Sequence, residues 1–348
     1  MKWSMSAIVP ACGAVAIFCS AAQADAISDF YKGENVYLQV GSGTGGGYDL
    51  VARVVARHIG RHIPGNPNIV VQNVPGGGSL KLANQFANTT KADGTIVGVM
   101  SNGMPTTPLM NPEAAHFDPR KFSFLGSTSR EIQVLVIWHT AKAKTLEDVF
   151  TTEVIAGASS PGSATLEVPL LTNALMGTKF KVIAGYPGAT DVKLAMQRGE
   201  VDSNAALAWG SARTQYADLL KSKELRVVAQ YGKRKHPDLP DVPLFPQGKT
   251  EADRQLFDLM FARQDYGRPF VTPPNTPADR VKTLTAAFES TMKDKAFLAE
   301  AAKADIEIDP VPGHELQALT ERLFKTPAAV VDRMRQLLET KVSERGKN

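Results

Sequence analysis

The sequence predicts an α/β protein of two lobes, each a mostly parallel sheet flanked by helices, with a ligand cleft between them. Three observations lead there. Between Val36 and Met100, apolar strand segments alternate with amphipathic helical segments, the signature of a parallel sheet with right-handed crossovers. The same alternation restarts after a longer apolar segment, Glu131 to Trp138. The loops that follow the strands are rich in glycine and serine, and sheets of this kind bind ligands at the carboxyl ends of their strands.

The first strand carries Val36, Leu38 and Val40 and runs into the glycine run Gly41 to Gly47. In the helix that follows, Leu50, Val51, Val54, Val55 and Ile59 share one face, and Arg53, Arg57 and Arg61 follow the i+4 row on another. After the turn Pro64 to Asn68 comes the strand Ile69 to Gln72. Asn73 to Ser79 is a second glycine-rich loop, feeding a helix with Leu80, Ala83, Phe86 and Ala87 inward. Asp93-Gly94 turns the chain into a third strand, Thr95 to Met100, which ends at Ser101 to Pro105.

The second lobe is expected to hold the strand Val154 to Ala158, the loop Ser159 to Ser163, the helix Ala164 to Met176 and the strand Phe180 to Ala184. A helix through Leu194 and Met196 stops at Gly199. A strand around Val201 to Ala205, a helix over Ser211 to Leu220 and a strand from Leu225 to Ala229 complete it. The proline-rich segment His236 to Pro243 reads as the return linker. Beyond it, Phe270-Val271 and Ile306 to Ile308 read as strands. Pro277 opens a helix, and Glu315 to Leu323 and Pro327 to Val342 read as helices covering the first lobe. The expected division is 25–130 with 240–348 in the first lobe and 131–239 in the second.

With 348 residues, 43% hydrophobic and 21% charged, the chain can bury real cores. Lys2, the apolar stretch Ala7 to Phe18 and the small-x-small sequence Ala22-Gln23-Ala24 mark residues 1–24 as a secretory signal. No other stretch approaches the ~18 apolar residues of a membrane span. Cys12 and Cys19 both fall in the signal, so the mature chain is expected without disulfides, a thiol nucleophile or cysteine metal ligands. The formal charge of +4 is slight and its basic residues are interleaved with acids, which argues against nucleic acid as a partner.

Gly41-x-Gly43-x-x-Gly46 matches the dinucleotide fingerprint, but the second strand ends in Gln72-Asn73, where that site needs an acid for the ribose. His58 and His62 stand at i, i+4 without the intervening glutamate of a zincin, and read as surface histidines. No Gly-x-Ser-x-Gly turn frames a nucleophilic serine. No cofactor, metal site or catalytic nucleophile is therefore expected. What remains is a set of small, polar loops preceding helices in both lobes. Each alone is explained by turns and N-caps; together they can close round a carboxylate, using helix N-termini and N–H donors.

In order and spacing, Gly46-Gly47-Tyr48-Asp49-Leu50-Val51-Ala52-Arg53, Gln72-Asn73-Val74-Pro75-Gly76-Gly77-Gly78, Ala92-Asp93-Gly94-Thr95, Pro161-Gly162-Ser163, Gly185-Tyr186-Pro187-Gly188, Gly199-Glu200-Val201-Asp202 and Leu239-Pro240-Asp241-Val242-Pro243 resemble the solute receptors of tripartite tricarboxylate transporters, the Bug family. The resemblance covers essentially the whole mature chain. It implies a periplasmic type II binding protein, a monomer, that closes on an organic carboxylate and presents it to integral membrane subunits. In relatives the carboxylate sits between the first β/α loop and the serine-rich loop of the second lobe. Here that maps to Gly47, Tyr48 and Asp49, and to Ser159, Gly162, Ser163, Ala164 and Thr165, with Asn102 and Tyr186 lining the cleft.

Three positions depart from the family pattern. Val74 replaces a common arginine, Tyr48 stands where many relatives carry Thr or Ser, and Ala206 takes the place of the acid found in several members with amino or amide ligands. The departures turn the expectation away from amino acids and toward di- or aromatic carboxylates. A sensor subunit signalling to a membrane kinase needs the same closing cleft and is the alternative; neighbouring permease or kinase genes separate the two.

Overall fold

The computed structural model describes residues 25–232, 234–338 and 343–344. The expected signal, 1–24, lies outside the described residues. Two six-stranded sheets form the lobes. The first contains β1 (Asn35–Val40), β2 (Asn68–Asn73), β3 (Ile96–Val99), β4 (Ser123–Ser127), β10 (Pro269–Thr272) and β11 (Val311–Pro312), in the order β11-β4-β10-β3-β1-β2. The second contains β5 (Gln133–Trp138), β6 (Val154–Gly157), β7 (Phe180–Ala184), β8 (Ser203–Ala208), β9 (Leu225–Tyr231) and β12 (Ser343–Glu344), in the order β12-β7-β6-β8-β5-β9.

Each sheet joins a parallel block to antiparallel return strands. β1 pairs in parallel with β2 and β3, and β6 with β7 and β8. β10 runs antiparallel to β3 and β4, and β5 antiparallel to β8 and β9, because these strands carry the chain into a lobe from the opposite side. β5 is buried along its whole length, as its unbroken apolar run requires of a strand covered on both faces.

The helix Gly47–Ile59 buries Val51, Ala52, Val54, Val55 and Ile59 against the first sheet. Each Val or Ile so buried contributes about 1.5–3 kcal/mol. A larger apolar cluster passes through both lobes, joining Met100, Phe122 and Phe124 to Leu135, Leu171, Phe257 and Phe261.

Several elements differ from expectation. β4 has only Phe124 and Leu125 as large apolar residues and carries no periodic signal. The helix Glu251–Phe261 was unforeseen, although Thr250 and Asp253 form a capping box at its start. Ile306 to Ile308 is irregular, and the strand lies at Val311–Pro312. The helix expected over Ser211 to Leu220 breaks at Tyr216 into Trp209–Gln215 and Ala217–Lys221. The segment His236 to Pro243 stays bonded to the second sheet, with Gln230 Nε2 donating to the carbonyls of Leu239 (2.9 Å) and Val242 (2.8 Å). The first sheet is re-entered at β10. The helix Ala328–Leu338 packs against the second-lobe helix Ala164–Met176 as well as first-lobe Thr107–Met110, and β12 extends the second sheet beside β7.

His58 is buried rather than on the surface, because the helix Lys295–Lys303 covers it. Its Nε2 lies 2.6 Å from Glu300 Oε2, and His62 Nε2 lies 2.8 Å from Asp294 Oδ2. Among the described residues, no cluster of three or more His, Cys, Asp or Glu is placed to hold a metal, and no helix is long and apolar enough to cross a membrane.

Candidate functional site

β1, β2 and β3 end side by side, and a hydrogen-bonded frame ties their loops together. Asp49, in the first helical turn, reaches back into the glycine loop: its Oδ2 accepts the Gly45 N–H at 2.8 Å and its Oδ1 accepts Asn73 Nδ2 at 2.9 Å. Arg53 Nε donates to both oxygens at 3.0 Å. Burial pushes the Asp49 carboxyl up, but the hydrogen bonds from Arg53, Gly45 and Asn73 outweigh it and hold the group below its ordinary value.

The stretch Gly76 to Ser79 has positive φ throughout. For Ser79, at φ 76°, a left-handed backbone costs about 1–2 kcal/mol. Its hydroxyl compensates by donating to the Gly41 carbonyl at 3.1 Å and accepting the Ser101 N–H at 2.8 Å, which joins the ends of β1 and β3. Tyr48 Oη accepts the Asn102 N–H at 3.0 Å. Burial, reinforced by Glu131, raises the phenol above its ordinary value, against the opposing effects of the Asn102 N–H and Arg268.

Across the cleft, hydroxyls do the equivalent work. Thr165 Oγ1 accepts the Ser159 N–H at 3.1 Å and lies 3.2 Å from Ser159 Oγ and 3.1 Å from Ser163 Oγ. Ser163 Oγ donates to the Ser160 carbonyl at 2.7 Å. Beneath them Glu167 Oε1 accepts the Gly162 N–H at 2.9 Å, while its Oε2 pairs with buried Arg263.

The helices Gly47–Ile59, Ala164–Met176 and Ala189–Gln197 start at these strand ends, and none has a side chain capping its N-terminus. Elsewhere Thr250 and Asp294 cap their helices, while Ala278–Lys293 and Gly313–Leu323 also start without a side-chain cap. First-turn N–H groups at the cleft are thus left for another acceptor.

The halves touch. A Cβ on Gly103 would lie 2.2 Å from the Gly162 carbonyl oxygen, so only glycine permits that approach, and one on Gly47 would lie 2.5 Å from Ser211 Oγ, a side-chain atom that would have to turn away. Between the lobes, Arg268 pairs with Glu131 through Nε–Oε2 (3.1 Å) and Nη2–Oε1 (2.8 Å) and donates to the Gly47 carbonyl. Glu131 Oε1 also accepts the Gly210 N–H at 3.0 Å. Behind this pair a crevice of about 20 Å³, lined in part by Leu50, Trp209 and Thr214, has room for about one water. Arg213 of the second lobe pairs with Asp305 and, at 3.7 Å, with Glu307 of the first.

Of the residues expected from sequence, Gly47, Tyr48 and Asn102 come together in the first lobe, and Ser159, Gly162, Ser163, Ala164 and Thr165 in the second. Asp49 is turned into its own loop. Tyr186 is 4% exposed and belongs to the second-lobe apolar cluster with Val192, Met196 and Trp209. The sequence reading missed Ser79, Gly103, Glu131, Arg268, Glu167 and Arg263. Arg53, Arg263 and Arg268 each have a carboxylate partner, so the donors offered between the loops are neutral.

The profile of the family described as Tripartite tricarboxylate transporter family receptor matches residues 51–333. A UPF0065 protein of Agrobacterium vitis is 25% identical over 329 residues, 92% of this chain and 86% of its own. The malate-bound MatC of Rhodopseudomonas palustris superimposes with a TM-score of 0.67 at 17% identity, covering 88% of this chain and 99% of that one. An adipate-bound protein of R. palustris gives a TM-score of 0.69 at 17% identity, covering 89% and 98%. The two-lobed architecture is that of periplasmic binding proteins, and on a family match spanning most of its length the chain belongs to the tripartite tricarboxylate transporter receptors, solute-binding proteins rather than enzymes.

Proposed function

We propose that the chain is a monomeric periplasmic receptor that closes on a small organic carboxylate, di-, tri- or aromatic, and delivers it to the integral membrane subunits of a tripartite tricarboxylate-type transporter. One observation carries the reading: uncapped helix starts and a hydroxyl cluster face each other across a closed cleft whose arginines are already neutralised. An anion suits neutral N–H and O–H donors at helix N-termini. Each charge-assisted hydrogen bond contributes about 1.5–3 kcal/mol and each helix end about 0.3–1. Four such contacts support micromolar binding, about −8 kcal/mol, after the costs of association. The family membership supports a solute ligand, and relatives of the same fold bound to malate and to adipate, both dicarboxylates, support the ligand class.

In this reading Gly47, Tyr48 and Asn102 hold one side of the ligand, and Ser159, Gly162, Ser163, Ala164 and Thr165 the other. Asp49 shapes the loop and Tyr186 supports the second-lobe wall. The test is calorimetry of the mature protein against a panel of di-, tri- and aromatic carboxylates. At least one micromolar ligand is expected, weakened about tenfold by Ser163→Ala, which removes the hydroxyl that braces the second-lobe loop through the Ser160 carbonyl and Thr165. No binding anywhere in a broad acid panel overturns the proposal.

A further inference from the structure

The first sheet ends in an edge that nothing among the described residues covers. β2 is its outermost strand, and its sequence, Asn-Ile-Val-Val-Gln-Asn, has no lysine, proline or bulge to discourage a further strand. Such devices are how exposed edges are normally protected. The parallel ladder uses the N–H groups of Asn68 and, by alternation along the register, those of Val70 and Gln72. The N–H and C=O groups of Ile69 and Val71 therefore point outward.

Beside this edge runs an open groove of about 680 Å³, floored by Ile69 and Val71 and walled by Arg53 and Arg57 of the helix Gly47–Ile59 and by Arg61 of the turn Gly60–His62 that follows it. No acidic residue lines it. Each arginine has a carboxylate partner, but the partner is the more buried of the two. The arginine side chains are 41%, 53% and 45% exposed, against 3% for Asp49, 34% for Glu300 and 14% for Asp294. The outer surface is cationic, which disfavours a second copy of this chain and favours an acidic occupant.

We propose that this groove docks an extended, acidic segment of the receptor's membrane partner, which adds as a strand along β2 with its carboxylates on the arginine row. Strand addition takes affinity from main-chain hydrogen bonds and selectivity from side-chain contacts, and the groove provides for both. It is also wired to the ligand loop. Arg53 at the groove holds Asp49, and Asn73 at the end of β2 binds Asp49 and the Ser42 carbonyl. Docking and the conformation of the ligand loop thus share a hydrogen-bonded frame.

The inference rests on the receptor reading, and the experiment separates the two. The full mature chain is assayed for solute binding by calorimetry and for solute uptake with proteoliposomes containing the membrane subunits. Arg57→Gln with Arg61→Gln is expected to lower uptake about tenfold by removing charge complementarity, with the solute Kd unchanged within about twofold. Val71→Pro, which removes an outward N–H and spares the β1 ladder, is expected to do the same without touching the helix Lys295–Lys303. If both variants support normal uptake, or if both lose solute binding, the groove is not the docking site. A concentration-dependent dimer abolished by Val71→Pro in sedimentation gives the edge to a second copy and overturns the proposal. A wild-type chain that binds no acid instead removes the receptor reading itself.

Discussion

The two halves of the cleft reach the same end by different means. In the first lobe a carboxylate organises the loop: Asp49 gathers Gly45, Asn73 and Arg53, and Ser79 ties β1 to β3 from a strained backbone. In the second lobe hydroxyls organise it from above and the Arg263–Glu167 pair from below. One half consumes its charge sideways within the loop, the other underneath it. Both leave neutral donors toward the cleft, so in the proposed receptor anion selectivity comes from geometry rather than from a free cation. The Arg268–Glu131 pair belongs to neither half. It touches Gly47 on one lobe and Gly210 on the other, so it bridges the two halves.

The largest expected effect comes from removing that link. Glu131→Ala leaves Arg268 buried without its carboxylate, which costs about 3–5 kcal/mol, read as a lower midpoint in urea unfolding. A loss below about 1 kcal/mol, the range of exposed pairs, breaks the view of this pair as a desolvated link. Tyr48→Phe probes the first half alone. It strands the Asn102 N–H, at a cost of about 1–3 kcal/mol in thermal unfolding.

Gly103→Ala tests contact between the halves. The added methyl meets the Gly162 carbonyl, so solute affinity should fall about tenfold, or 1.4 kcal/mol, while the unfolding midpoint hardly moves. Unchanged affinity means that binding does not need this contact. The smallest effect is the pH dependence of the first-lobe loop. Because the folded-state pKa of Asp49 is depressed, its contribution is present at neutral pH and lost as pH falls below about 4. Stability curves of wild type and Asp49→Asn should therefore converge on acidification.

Much of this arrangement was legible in the chain. The βα blocks show themselves because period-2 and period-3.6 burial is a local property, as in Val36, Leu38 and Val40 followed by Val51, Val54 and Val55. The loops were visible because glycine and serine announce special backbone conformations. β4 was not, since two apolar residues in five carry no period. The burial of His58 was not, since a helix more than two hundred residues later covers it.

Composition and local pattern were enough to specify two α/β lobes and glycine- and serine-rich loops at strand ends; the family came from the resemblance of those motifs to a known one. The tertiary structure alone decided which charges meet. Glu131 and Arg268 stand 137 residues apart, and Glu167 and Arg263 stand 96 apart. A helix or strand repeats its environment every few residues and so writes itself into the sequence. A buried ion pair joins two positions whose separation along the chain is arbitrary, and only the folded core brings them within hydrogen-bond distance.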